Sequence, residues 1–199
     1  MKIKLVFQID RLGLAWKKYF KEEKNIEIIK NDITQISCDA IVSPANSFGF
    51  MDGGLDLALS KRFGWNIQEE LQKQIKNSQL GELLIGQTIT LKTNDDKIPF
   101  LISAPTMRVP MNFNIPTSIN AYLAMKAILI TVKNNPKIET VAIPGLATGC
   151  GKMDVKIAAK QMLVAYNEII KDEKMNFMSF EEAQKYQIEI NKKSLIWDY

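Results

Sequence analysis

Ser43-Pro44-Ala45-Asn46-Ser47-Phe48-Gly49-Phe50-Met51-Asp52-Gly53-Gly54-Leu55-Asp56 is the stretch on which the reading of this chain turns. An apolar strand pattern, Ala40-Ile41-Val42, runs into it, and a helical pattern over 57–63 runs out of it. Backbone amides left unpaired at a helix N-terminus bind anions, and glycines let that backbone come close to a phosphate. A second Gly-rich turn, Gly145-Leu146-Ala147-Thr148-Gly149-Cys150-Gly151, follows another apolar strand pattern over 137–144. Two such turns at strand ends are suited to gripping one diphosphate from both sides. Each also has a plainer reading. The first is a strand-to-helix connection rich in turn formers, and the second is a crowded turn that only small residues fit.

Outward from these turns the chain alternates strands with helices. Strand patterns lie at 2–8, 26–29, 39–44, 87–92, 98–104 and 137–144, and helical patterns at 11–23, 55–63, 65–77, 117–133 and 153–171. Ile67, Leu71 and Ile75 form one inward stripe, and Ile119, Leu123, Ala127 and Ile130 another. A short helix is expected around 181–186, and 194–199 reads as strand or loop. The alternation predicts an α/β fold, a three-layer α/β/α sandwich around a mixed, mostly parallel sheet. In such sheets ligands sit outside the carboxyl ends of the strands. Both Gly-rich turns lie there, as does Asp32. That aspartate either caps a short helix or accepts a hydrogen bond from a base amino group.

Length and composition narrow the classes. The 199 residues are read as one domain, 1–199, with 46% hydrophobic and 24% charged residues as in ordinary globular proteins. No apolar run is long enough to span a bilayer, and the basic N-terminus lacks a signal peptide's apolar core, so a cytoplasmic location is expected. The net charge of +4 comes largely from dispersed lysines, which reads as a solvated surface rather than a nucleic-acid patch. Cys38 and Cys150 lack CxxC spacing and are expected to be reduced thiols. Cys150 reads as a small buried residue in a tight turn rather than a nucleophile. Trp65 and Trp197 read as packing residues, and Phe48, Phe50 and Met51 as apolar walls or core. The chain has no histidine. That removes the histidine triad, histidine-ligated zinc and the imidazole base together. Neither a metal site nor a cofactor is expected.

Four motifs in order carry a resemblance: Asp32-Ile33-Thr34; Asp39 through Asn46; Gly53-Gly54-Leu55-Asp56; and Ala142-Ile143-Pro144-Gly145-Leu146-Ala147-Thr148-Gly149. Together they resemble the macro domain family of ADP-ribose binders, most strongly over 1–172, with 173–199 as a C-terminal extension packed on the domain. The segment Ser103 to Pro110 looks like a bacterial or phage-associated variant. The resemblance implies a cleft for ADP-ribose. Asp32 would meet the adenine amino group, with the Ile33 amide beside it. Gly53, Gly54 and Leu55 would wrap one phosphate. Ala147, Thr148, Gly149, Cys150 and Gly151 would form the loop around the other. Asn46 would contact the distal ribose. Asp56, helped by Asp52, would position or deprotonate a water that cleaves the anomeric bond.

Departures from the family pattern cluster at the distal-ribose end. Ser43-Pro44 stands where the hydrolytic branch has Asn-Ala, Asp52 replaces a glycine, Gly151 replaces an aromatic, and Lys152 replaces a glycine. Two functions follow: an ADP-ribosyl hydrolase acting on an ADP-ribosylated side chain, nucleic-acid end or small derivative, or a binding module without chemistry. A structural accessory with a vestigial pocket is a more distant third. Nucleic acid enters only as an ADP-ribosylated substrate, no membrane partner is expected, and the oligomeric state stays open.

Overall fold

Strand alternation explains the layering. In β1 (Lys2–Phe7), Ile3, Leu5 and Phe7 face one core while Val6 faces another. In β3 (Ala40–Ser43), Ala40 and Val42 face the first core and Ile41 the second. Successive side chains of a strand point to opposite faces, so a sheet apolar on both faces must be covered twice. The computed structural model of the chain describes residues 1–191 and shows that covering. The strand expected within 194–199, and Trp197, lie outside the described residues.

The sheet has six strands: β1, β2 (Ile26–Lys30), β3, β4 (Ile89–Lys92), β5 (Phe100–Ser103) and β6 (Thr140–Ile143). Their order is β2-β1-β6-β3-β5-β4, and β4 alone runs antiparallel. One face is covered by α1 (Asp10–Tyr19), α4 (Asn120–Asn134) and α5 (Val155–Ile170), with Trp16 fully buried among them. The other is covered by α2 (Gly54–Phe63) and α3 (Asn66–Asn77). Each fully buried Leu or Ile contributes roughly 1.5–3 kcal/mol relative to an exposed one. The three-layer α/β/α sandwich with a mixed, mostly parallel sheet is therefore the fold, as the alternating pattern predicts.

Four sequence readings are corrected. α4 starts at Asn120 rather than 117, because the Ser118 hydroxyl accepts from the Asn120 N–H (3.2 Å) and turns the chain first. Its inward face is Ala121, Met125, Ile128, Leu129 and Val132, whereas Ile130 points to solvent at 43% exposure. Trp65 is half exposed at the start of α3 and is not a core residue. The C-terminal helix α6 (Phe180–Ile190) is longer than expected. It is fastened by Tyr186, whose hydroxyl joins Tyr122 and Lys126 on the buried Glu168 carboxylate.

Candidate functional site

The two Gly-rich loops end up side by side, because β3 and β6 are neighbours in the sheet. Both loops leave from the carboxyl ends of their strands. The segment after β5 joins them. Ala104 N–H donates to Ser43 O and Thr106 N–H to Ala45 O, each at 3.0 Å, and Ser47 N–H donates to Arg108 O at 3.1 Å. Asp32 follows β2, on the same edge of the sheet.

The loop after β3 is held by side chains. Asn46 is 5% exposed, and its Nδ2 donates to Phe50 O (2.8 Å). Its Oδ1 accepts from the Phe48 and Phe50 N–H groups (3.1 and 3.3 Å). Gln68 accepts from Met51 N–H (2.6 Å), and the Ser60 hydroxyl donates to Met51 O (2.8 Å). Met51 is buried as core, whereas Phe50 is 54% exposed. Phe48 is half-buried beneath the Arg108 guanidinium. Among the described residues, the N–H groups of Asp52, Gly53, Gly54, Leu55 and Asp56 donate to no protein acceptor. A side chain at Gly53 or Gly54 would meet open space. Gly54 has φ +55°, a left-handed conformation that glycine adopts without penalty.

The loop after β6 is held by packing. A Cβ at Gly151 would sit 2.6 Å from Ile115 Cγ2 and 2.7 Å from Ala147 O, so only hydrogen fits. Ala147 is buried with φ +60°, and its carbonyl accepts from Met153 N–H at 3.0 Å. The N–H groups of Leu146 to Gly151 donate to no acceptor among the described residues. Gly149 faces open space and Thr148 is half-buried. Cys150 is exposed, which corrects its reading as a small buried residue; Gly151 carries the crowding instead.

Asp32 caps the 3-10 turn Ile33–Gln35 with one carboxylate oxygen, accepting from the Thr34 N–H (2.9 Å) and hydroxyl (2.8 Å). Its other oxygen takes no partner among the described residues. Asp52 is exposed. Asp56 lies in the first turn of α2, and its Oδ1 accepts from the Ser43 hydroxyl. Burial pushes the Asp56 carboxyl up to about 6, the Ser43 hydroxyl opposes that, and the charge of Asp52 adds to it. Sequence reasoning missed this contact; Ser43 figured only as a departure from a family pattern.

The edge thus offers two rows of amide donors, the carboxylates of Asp52 and Asp56 beside the first row, and open space above three glycines. Such an arrangement binds an extended anion through backbone dipoles without Lys or Arg. A separate depression of about 460 Å³ lies along α3 and β4, lined by Asn66, Glu69, Glu70, Lys73 and Lys92. It mixes both charge signs. Among the described residues no helix is long and apolar enough to cross a membrane.

The family model described as "Macro domain" matches residues 42–162. An uncharacterised protein of Aquifex aeolicus is 28% identical over 139 residues, 70% of this chain and 79% of its own length. The macrodomain of Oceanobacillus iheyensis solved with ADP superposes at a TM-score of 0.62 and 22% identity, covering 80% of this chain and 89% of that one. A glycine-to-valine variant of it, solved with ADPR, gives 0.61 and 20% identity over 83% and 88%.

Proposed function

The chain belongs to the macro domain family, and on that premise we propose that its Gly-rich edge binds ADP-ribose or a related ADP-ribosyl derivative and hydrolyses an ADP-ribosyl linkage. One observation carries the binding half: two rows of undonated amides at adjacent strand ends, with open space at Gly53, Gly54 and Gly149. A diphosphate spans such a pair. The Gly53-Gly54-Leu55 amides take one phosphate, and the Ala147 to Gly151 amides take the other. Asp32's unused oxygen receives the adenine amino group beside the Ile33 amide. The ADP and ADPR complexes of the Oceanobacillus macrodomain support this choice of ligand.

The catalytic half rests on Asp56. With its carboxyl pushed up to about 6, Asp56 is mostly ionised at neutral pH yet basic enough to take a proton. Water attacks the anomeric carbon, the bond to the leaving group breaks with its electron pair, and Asp56 accepts the water's proton. The leaving group takes a proton from solvent. Asp52 orients the attacking water from the exposed side. Asn46 retains one amide hydrogen for the distal ribose, since its other contacts hold its own loop. Those internal contacts are what favours the second reading, a binding module: most of Asn46's capacity is spent on structure.

The deciding experiment follows ADP-ribose release from mono-ADP-ribosylated protein, ADP-ribosylated nucleic acid and ADP-ribose-1″-phosphate. Turnover on one of these, lowered about 10²–10⁴-fold in Asp56→Asn with ADP-ribose affinity kept, supports the hydrolase. An Asp52→Ala variant separates the two carboxylates. No release from any of the three by the wild type leaves the binding module.

A further inference from the structure

The second core, between the sheet and α2 and α3, is mainly apolar. Ile41, Met51, Leu59, Leu91 and Leu101 are fully or nearly fully buried there. At the carboxyl end of β3 and β5 the same face carries Ser43 and Ser103 instead, directly paired in register and 1% and 0% exposed. Alternation puts both on the side of Ile41 and Leu101, beneath α2. The Ser43 hydroxyl donates to Asp56 Oδ1, across thirteen residues of sequence. The Ser103 hydroxyl has no partner among the described residues. Buried hydroxyls in an apolar layer are unfavourable unless satisfied, so packing alone does not account for two of them at this corner.

The geometry points to Ser43 as a positioning residue: by donating to Oδ1 from the rigid end of β3, it fixes the Asp56 carboxylate so that the other oxygen, Oδ2, faces the water and the distal ribose. The catalytic part of this assignment rests on the hydrolase reading. Ser43 touches no substrate; it acts through Asp56. A donor to the ionised form also holds a carboxyl's proton affinity down, which opposes the effect of burial. The other groups around Asp56 do not duplicate this. β3 and β5 bring no ionisable side chain, and neither does the turn 33–35. Asp52 is a like charge, and the charged residues of α3, namely Glu69, Glu70, Lys73 and Lys76, lie exposed. Asp32, before the turn, spends one carboxylate oxygen on Thr34; later in α2, Lys61 is exposed and Arg62 pairs with Asp95.

The test combines carboxyl-carbon NMR titration of Asp56, which needs no substrate, with the pH dependence of kcat, in the wild type, Ser43→Ala, Ser43→Thr and Ser103→Ala. In Ser43→Ala the Asp56 titration is expected to move up by about one pH unit, and the acid limb of kcat to move with it. ADP-ribose affinity should stay within about twofold, because the phosphate amides are untouched. Ser43→Thr, which keeps the hydroxyl, should restore both, and Ser103→Ala should leave both where they are. An Asp56 titration unmoved in Ser43→Ala overturns the assignment, and so does an equal shift in Ser103→Ala. A moved titration with an unmoved kcat limb overturns it as well. If the wild type titrates as expected but hydrolyses nothing, the hydrolase reading fails, and with it the catalytic part of this assignment.

Discussion

The two Gly-rich loops present amides in the same way but are built by opposite means. The loop after β3 is tied by side-chain hydrogen bonds from Asn46, Gln68 and Ser60; Gly49 packs on Leu71 and Ile75, and Gly53 and Gly54 look into open space. Among the described residues, no side-chain hydrogen bond ties the backbone of the loop after β6 over 145–151. Its shape comes from Gly151 pressed against Ile115 and the Ala147 carbonyl, and from Ala147 held at φ +60°. The unfavourable terms differ accordingly. The first loop carries its cost as a buried charge, Asp56, and the second as backbone conformation at Ala147. A phosphate clamp can therefore be assembled from either currency of strain, and substitutions should act on the two loops differently.

The largest effect is expected where the first loop is open. Gly53→Glu places a carboxylate among the phosphate amides at φ −139°, a backbone any residue adopts. ADP-ribose affinity should fall at least about 100-fold by calorimetry, while the melting temperature barely moves. Gly54→Glu is the less clean probe, because its φ of +55° adds strain. In the second loop the same kind of substitution should act through the fold. Gly151→Val drives a side chain into Ile115 and should destabilise by about 2–3 kcal/mol in chemical denaturation, with binding weakened only as a consequence. Loss of binding without loss of stability in that variant would erase the contrast between the loops.

Next comes the buried charge. Asp56 titrates near 6 against an ordinary 3.8, so the unfolded chain holds fewer protons than the folded one between these values. Its burial therefore costs stability progressively as pH rises from about 4 to 6, and in full above that. Asp56→Asn should stabilise the protein by about 1–3 kcal/mol at pH 8 and by little at pH 4, read from denaturation at both pH values. Turnover in the wild type should rise through pH 6 as Asp56 ionises. The smallest effect is at Ala147. Ala147→Gly relieves the left-handed strain but loosens the unfolded chain, for a net gain below about 1 kcal/mol. A loss in that variant would mean that the methyl group's packing outweighs the strain.

Much of the fold was legible because it is periodic. β1, β3, β5 and β6 alternate cleanly between two cores, and the inward stripe Ile67-Leu71-Ile75 is where the spacing puts it. α4 was misread for a physical reason: apolar residues surround it, so several faces satisfy the helical period, and packing on α5 decides. Trp65 shows the same limit, since a large aromatic at a helix start is free to remain half exposed. Within the site, glycine spacing and strand ends marked the two loops. Contacts across distant segments left no local signal. Ser43 meets Asp56 only because α2 folds back over β3, and Tyr186 meets Glu168 only because α6 docks on α5. Asn46 stands out in sequence, yet its three contacts within its own loop depend on a turn geometry the letters do not specify.

The central claim is that both loops together hold ADP-ribose. Calorimetric titration of ADP-ribose into the wild type and Gly53→Glu, side by side, tests it most directly. The account predicts saturable one-to-one binding in the wild type and its loss in a variant of unchanged stability. No detectable heat with the wild type at millimolar ligand, or equal affinity in the two proteins, would contradict it.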